Sequence, residues 1–240
     1  MGRIFAALYS TFAYLLFLGT FVHAIGFVEN IMVRKTIDSS AAGGATGAIL
    51  VDLALLGVFA VQHSVMARKG FKRMWTRIVP EAVERSTYVL FSSLALALLL
   101  WQWQPIPQLV WSVDGALAIA ITALSWAGWA MVLASTFLIS HFHLFGLTQG
   151  FARLLRRHMP EQEFTTPLFY RWVRHPLYAG FIIAFWAAPQ MSVGHLLFAV
   201  ATTGYILLGI WLEERDLVAH FGQRYLHYRE AVGMLIPRLR

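Results

Sequence analysis

From Ile4 to Val28 the chain carries no Asp, Glu, Lys or Arg. Similar runs follow from Thr46 to Met66, from Thr87 to Trp103 and from Val113 to Ile139, each with at most one carboxylate. A hydrocarbon core about 30 Å thick is crossed by roughly 20 residues of helix. In lipid the backbone has no water to bond, so a single spanning segment must be helical. Apolar residues make up 58% of the 240 and charged residues 13%, against about 25% charged in soluble domains. The expected fold class is therefore all-α, a polytopic transmembrane helical bundle. The first run is longer than a signal-peptide core and lacks a small-x-small cleavage site, so it reads as a retained helix.

The last apolar region, Pro176 to Leu212, is too long for one ordinary crossing, and "APQMSVG" interrupts it near Pro189. A C-terminal helical hairpin accounts for both facts, with one short arm to Ala188 and another from about Ser192. Basic residues alternate between connections. Arg68, Lys69, Lys72, Arg73, Arg77 and Arg85 lie between the second and third helices. Arg153, Arg156, Arg157, Arg171 and Arg174 precede the hairpin, and further arginines to Arg240 end the tail. The intervening connections are poor in Lys and Arg. The positive-inside rule places both termini in the cytoplasm, in a membrane read as a bacterial inner membrane. This distribution assigns the formal charge of +7 to topology, and no nucleic-acid partner is expected. Cysteine is absent, which excludes disulfides, thiolate nucleophiles and cysteine metal sites. "SSAAGGATG" reads as a flexible outer connection.

Polar residues gather at one expected depth. His63 ends the second helix on the inner side, and His141 and His143 end the fourth in "STFLISHFHLFGL". Arg174, His175 and Tyr178 open the hairpin, and Glu213 and Glu214 close it. Such groups are costly in lipid and should face the bundle or water. Each also has a purely structural reading. Arg174 can anchor at the interface, His175 can cap the helix that Pro176 begins, and Tyr178 can belong to an aromatic belt. Glu213 and Glu214 stand at what reads as a helix C-terminus, where the macrodipole disfavours them. A protein arginine such as Arg174, or a ligand ammonium, would offset that. His23 and Asp52 are expected to pair in the outer half. The tail "FGQRYLHYREAVGMLIPRLR" reads either as an interfacial segment or as a lid, with Tyr225 and Tyr228 on one helical face.

"RHPLYAG", from Arg174 to Gly180, and "EERDLVAHFGQRYLHY", from Glu213 to Tyr228, fit paired motifs of integral-membrane methyltransferases. The chain resembles the isoprenylcysteine carboxyl methyltransferase and NnrU-like superfamily. The N-terminal helices and "STFLISHFHLFGLTQ" look, more narrowly, like methanethiol S-methyltransferases. The resemblance implies a cytoplasmic pocket for S-adenosylmethionine, with S-adenosylhomocysteine as product. It places Arg174, His175, Tyr178, Gly180, Glu213, Glu214, Tyr225 and Tyr228 at that pocket, with residues 170–240 as the cofactor-binding region of a single membrane domain spanning residues 1–240. Arg174 suits the cofactor carboxylate through its planar fork, and Gly180 permits close helix approach.

The implied reaction is methylation of a small thiol, methanethiol to dimethyl sulfide, and of hydrogen sulfide to methanethiol. His141, His143 or His175 would take the thiol proton, since histidine titrates nearest neutrality. Phe142, Phe145 and Trp186 are expected walls. No metal and no obligate protein partner are called for; the partners are the thiol and the bilayer. A prenyl-cysteine or lipid-amine methyltransferase, and a non-enzymatic heme or nitrite-respiration accessory protein, are the alternatives.

Overall fold

The computed structural model describes residues 2–40, 43–159 and 164–238. Residues 41–42 of the expected outer connection and Arg240 of the basic tail lie outside the described residues. Helices run over α1 (Gly2–Val28), α2 (Ala45–Ala67), α3 (Lys69–Trp75), α4 (Glu81–Gln102), α5 (Gly115–Ile139), α6 (His141–Leu144), α7 (Leu147–Leu155), α8 (Pro176–Trp186), α9 (Val193–Phe221) and α10 (Gln223–Ala231). The only strands among the described residues are β1 (Leu109–Ser112) and β2 (Gln190–Ser192), paired antiparallel. Among the described residues five helices, α1, α2, α4, α5 and α9, are long and apolar enough to cross a membrane. The all-α polytopic bundle is thus the observed architecture. The chain forms two compact units, Met1–Pro107 with Ser140–Glu161, and Gln108–Ile139 with Gln162–Arg240.

In the first unit α1 packs on α4 and α7, and α2 on α4. The pattern inverts that of a soluble helix. Large side chains of α1, among them Ile4, Phe5, Leu8, Phe12 and Leu15, are exposed, while Ala6, Ala7, Ser10 and Ala13 are buried. Helices in lipid gain nothing by hiding Leu from an equally apolar solvent. They associate where small residues allow close packing and hydroxyls bond across the interface. Ser86 of α4 does this, donating to Ser10 Oγ at 2.7 Å within the buried contact. Asp52 does not pair with His23. Its Oδ1 accepts from the Gln104 backbone N–H at 2.8 Å, just past the end of α4. A loop donor without a helical partner takes one carboxylate oxygen, and Oδ2 stays buried without a hydrogen bond.

In the second unit α8 lies against α5 and α9. A Cβ at Gly180 would stand 2.7 Å from Gly128 O, and one at Gly128 would stand 2.7 Å from Gly180 O. Only two glycines facing each other permit this separation. Ser125 Oγ donates to Ala184 O at 3.0 Å beside them. With 11 residues, α8 is about 16 Å long, half a hydrocarbon core. The expected break at Pro189 is present. It is held by a device that the apolar pattern does not announce: β2 pairs with β1, and Trp111 Nε1 donates to Ala188 O at 3.0 Å. Backbone groups that the hairpin tip would leave open are satisfied this way. Ser192 then caps α9 by accepting from the His195 N–H at 3.0 Å.

Candidate active site

A 3-10 turn, Leu168–Arg171, leads the chain into Arg174, and His175 is the N-cap of α8 with Pro176 at its first position. Proline has no N–H to lose there. The imidazole makes no capping bond. It turns toward α9, with Nε2 3.1 Å from Glu214 Oε1 and Nδ1 3.8 Å from Glu213 Oε2. Arg174 Nε donates to the same Glu214 Oε1 at 2.8 Å. Both partners are largely buried, at 8% and 14% side-chain exposure, so the contact is an internal ion pair rather than a surface one. The two motifs, 40 residues apart in sequence, meet at one carboxylate oxygen.

α9 runs through the glutamates to Phe221, past the end near Leu212 that apolarity alone implies. Glu213 and Glu214 therefore sit two turns inside the helix. The expected macrodipole penalty falls off within the last turn and does not reach them. Glu214 is offset there by the cation of Arg174.

The tail closes over this junction. Arg174 Nη1 donates to Val232 O at 2.5 Å and to Arg229 O at 3.0 Å. The N–H groups of Arg174 and His175 donate to Gly233 O at 2.8 Å and Met234 O at 3.1 Å. Through these bonds the tail is fixed to the start of the hairpin. The guanidinium fork expected to meet a ligand carboxylate is spent in part on Glu214 and these carbonyls.

Three tyrosines complete the wall. Tyr225 and Tyr228 do share a face of α10, with ring centroids 5.9 Å apart, and Phe164 packs edge-on to both. Tyr228 Oη donates to Tyr170 O at 2.5 Å. Burial pushes the Tyr228 phenol up to about 12. It also raises Tyr170 and Tyr225, with the negative charges of Glu213 and Glu214 adding to the effect. Tyr225 is fully buried, and its hydroxyl has no hydrogen-bond partner. Glu213 Oε2 is likewise buried without a hydrogen bond. Tyr178 lies beside His175, centroids 5.7 Å apart. Gly180 faces Gly128 of α5, so its contact is helix packing. Trp186 is likewise engaged within the hairpin, its Nε1 donating to Thr203 Oγ1 at 2.9 Å. A concavity of about 390 Å³ on α5 is lined by Ala118, Ile119, Thr122, Ala123 and Trp126 and presents no ionisable side chain.

His63, His141 and His143 belong to the first unit. α5 ends at Ile139, and α6 is a separate turn in which His141 is buried and His143 half-buried. His141 Nε2 lies 2.8 Å from Tyr14 Oη, and His63 Nε2 lies 2.8 Å from Tyr88 Oη. Burial lowers the basicity of His141 and His143, and for His143 the positive charge of Arg85 lowers it further. Phe142 and Phe145 ring His141 edge-on, at 5.3 and 4.9 Å. Sequence reasoning passed over Tyr14, Tyr88 and Tyr170. Nothing in the spacing links Tyr14 to a histidine 127 residues away.

Known proteins align with almost all of the chain. A protein of Mycobacterium tuberculosis named methanethiol S-methyltransferase is 52% identical over 238 residues, covering 99% of this chain and 98% of its own. A methanethiol S-methyltransferase of Pseudomonas deceptionensis is 52% identical over 240 residues, covering 100% of this chain and 92% of its own. Nurim of Pan troglodytes is a distant relative, 28% identical over 176 residues, 69% of this chain and 66% of its own. No family model matches the chain, and no solved structure matches it. Identity of this depth across the full length leaves one conclusion: the chain belongs to the methanethiol S-methyltransferase family.

Proposed function

We propose that the chain is an S-adenosylmethionine-dependent thiol S-methyltransferase that converts methanethiol to dimethyl sulfide and accepts hydrogen sulfide as a second substrate. The observation that carries the reading is the meeting of Arg174, His175 and Glu214 at one oxygen, in a chain whose relatives bear that enzyme name.

The residues fit the methyl donor. Two buried polar atoms beside the junction, Tyr225 Oη and Glu213 Oε2, have no hydrogen-bond partner. Buried polar groups are rarely left so. A carboxylate oxygen and a phenol are suitable partners for the ammonium and ribose hydroxyls of an adenosyl amino acid. Glu213, Tyr225 and Tyr178 would hold the ligand. Arg174, His175 and Glu214 keep that wall rigid, and Tyr228 ties α10 to Tyr170. Gly180 serves by letting α8 seat against α5. We assign residues 170–240 as the cofactor-binding region of one membrane domain covering 1–240, on the cytoplasmic side of a bacterial inner membrane with both termini cytoplasmic. The basic connections support that side.

Bound S-adenosylmethionine would supply an electrophilic methyl group on a sulfonium. The protein must hold the thiol in line with it, exclude water, and take up the thiol proton. His175 is held between two carboxylates and is assigned to positioning. His141 and His143 are assigned to the proton.

The test is direct. Detergent-purified protein given methyl-labelled S-adenosylmethionine should release labelled dimethyl sulfide from methanethiol, with adenosylhomocysteine in equal amount. No product from either thiol, together with turnover of a prenyl-cysteine or a lipid amine, would replace the substrate. Co-purified heme without adenosylhomocysteine binding would replace the enzyme with an accessory protein.

A further inference from the structure

From Arg68 to Arg85 the chain has six basic residues, and the fold of the first unit sorts them. Lys69, Arg73 and Arg77 are exposed, as charges that only set topology should be. Lys72 and Arg85 are half-buried. Phe71 seats α3 on the cluster of Met66, Tyr88 and Val89, and the Arg85 guanidinium lies over that same Tyr88 ring at 4.9 Å. Lys72 is thereby within electrostatic reach of Arg85 and of Glu84. Burial holds the Lys72 ammonium below the usual lysine range; Glu84 opposes this and Arg85 adds to it. Like charges in a half-buried place cost free energy unless an anion offsets them. Among the described residues Glu84 makes no ion pair with either cation.

The hydrogen bonds are as incomplete as the charge. Arg85 spends Nε on Leu144 O at 2.7 Å, and among the described residues its Nη groups and Lys72 Nζ bond to nothing. Trp75 Nε1, one turn along α3, is buried without a partner. These open groups are all donors, and two of them are cations. A phosphate oxygen supplies both the missing acceptor and the missing charge. Beside them Met74 and Ile78 are 54% and 79% exposed, which suits a ligand with an apolar part as well. We propose that the corner formed by α3 and the start of α4 binds the phosphate of an anionic phospholipid, with Lys72 and the Arg85 Nη groups as donors and Met74 and Ile78 against its acyl chains. The site lies wholly in the first unit and is independent of the methyl-transfer reading. Its basic connection is on the side assigned to the cytoplasm, where anionic headgroups attract such segments.

The experiment uses the full chain in neutral detergent, stripped of lipid and titrated with phosphatidylglycerol, with bound lipid counted by native mass spectrometry. Phosphatidylglycerol should bind about tenfold more tightly than zwitterionic phosphatidylcholine. Lys72→Gln should weaken that binding about tenfold, the scale of a hydrogen bond to a charged group. Lys72→Arg keeps the charge and should stay within about threefold. Arg77→Gln removes an exposed, screened charge and should change affinity less than about twofold at physiological salt. Melting temperatures without lipid check that each variant is folded. Equal losses in Lys72→Gln and Arg77→Gln would mean diffuse attraction to the basic connection and overturn the site. So would equal affinity for the two lipids on the unaltered protein, which needs no variant. Displacement of phosphatidylglycerol by inorganic phosphate at equal concentration would assign the corner to a soluble phosphate and overturn the lipid.

Discussion

The two units solve the same difficulty, polar side chains at the ends of apolar helices, in opposite ways. The second unit uses charge. Arg174 and Glu214 bond directly, His175 shares the oxygen, and backbone carbonyls of the tail accept from Arg174 Nη1. The first unit uses neutral pairs. Tyr14 meets His141 and Tyr88 meets His63 among phenylalanine rings, with Arg85 held back on a carbonyl. Fixed charges and unpartnered acceptors suit a charged ligand, whereas neutral pairs among aromatic rings offer an apolar surface.

That contrast can be broken most sharply at Glu214. Replacing one member of a buried ion pair strands the other at a cost of about 3 kcal/mol or more. Glu214→Ala should therefore weaken adenosylhomocysteine binding roughly a hundredfold by titration calorimetry. Arg174→Ala should do the same and also loosen the tail, read as faster proteolysis after Ala231. Unchanged affinity in both would remove the ionic junction from the site. A smaller effect is expected at the α5–α8 contact. Gly180→Ala puts a methyl group 2.7 Å from Gly128 O and should cost about 1–3 kcal/mol of stability, seen as a lower melting temperature in detergent. Gly128→Ala should behave alike, and their double variant should show non-additivity.

pH separates the units more gently. Burial holds His141 and His143 below the ordinary histidine range, so the unfolded chain binds protons first as pH falls. Their contribution to stability is complete above about 6.5 and is lost as pH drops toward the folded values. Tyr228 works at the other end. With its phenol raised from 10.0 to about 12, the unfolded chain ionises first. Stability is present below 10 and declines as pH rises toward 12. Acid should thus loosen the first unit and alkali the second, which hydrogen exchange resolved by segment would detect. The smallest effect is at the α9 cap, where Ser192→Ala should cost about 1 kcal/mol.

The long apolar helices and the hairpin were legible because lipid imposes both length and backbone self-satisfaction, and a proline with polar neighbours interrupts an apolar run visibly. Start points were less so. α4 begins at Glu81, ahead of the apolar run at Thr87, because its polar first turn gives no hydropathy signal. The far end of α9 was hidden for the same reason. The β1–β2 ladder links segments about 80 residues apart in a region too short to show periodicity. At the site, Arg174, His175, Glu213 and Glu214 stood out because charge is rare beside apolar helices. Tyr14, Tyr170 and the carbonyls of Arg229 and Val232 did not, since a tyrosine in a membrane helix looks like any belt aromatic and a carbonyl has no sequence signature.

By itself the sequence determined a membrane solvent, the long apolar helices and the residues too polar to face lipid, because transfer free energies depend on composition and length alone. Which polar group meets which was decided only in three dimensions. Asp52 turned to a backbone N–H rather than to His23, Glu214 took Arg174 and His175 together, and His141 found Tyr14. Hydrogen bonds act over about 3 Å, and pairings at that range across tens of residues exist only once the helices have packed.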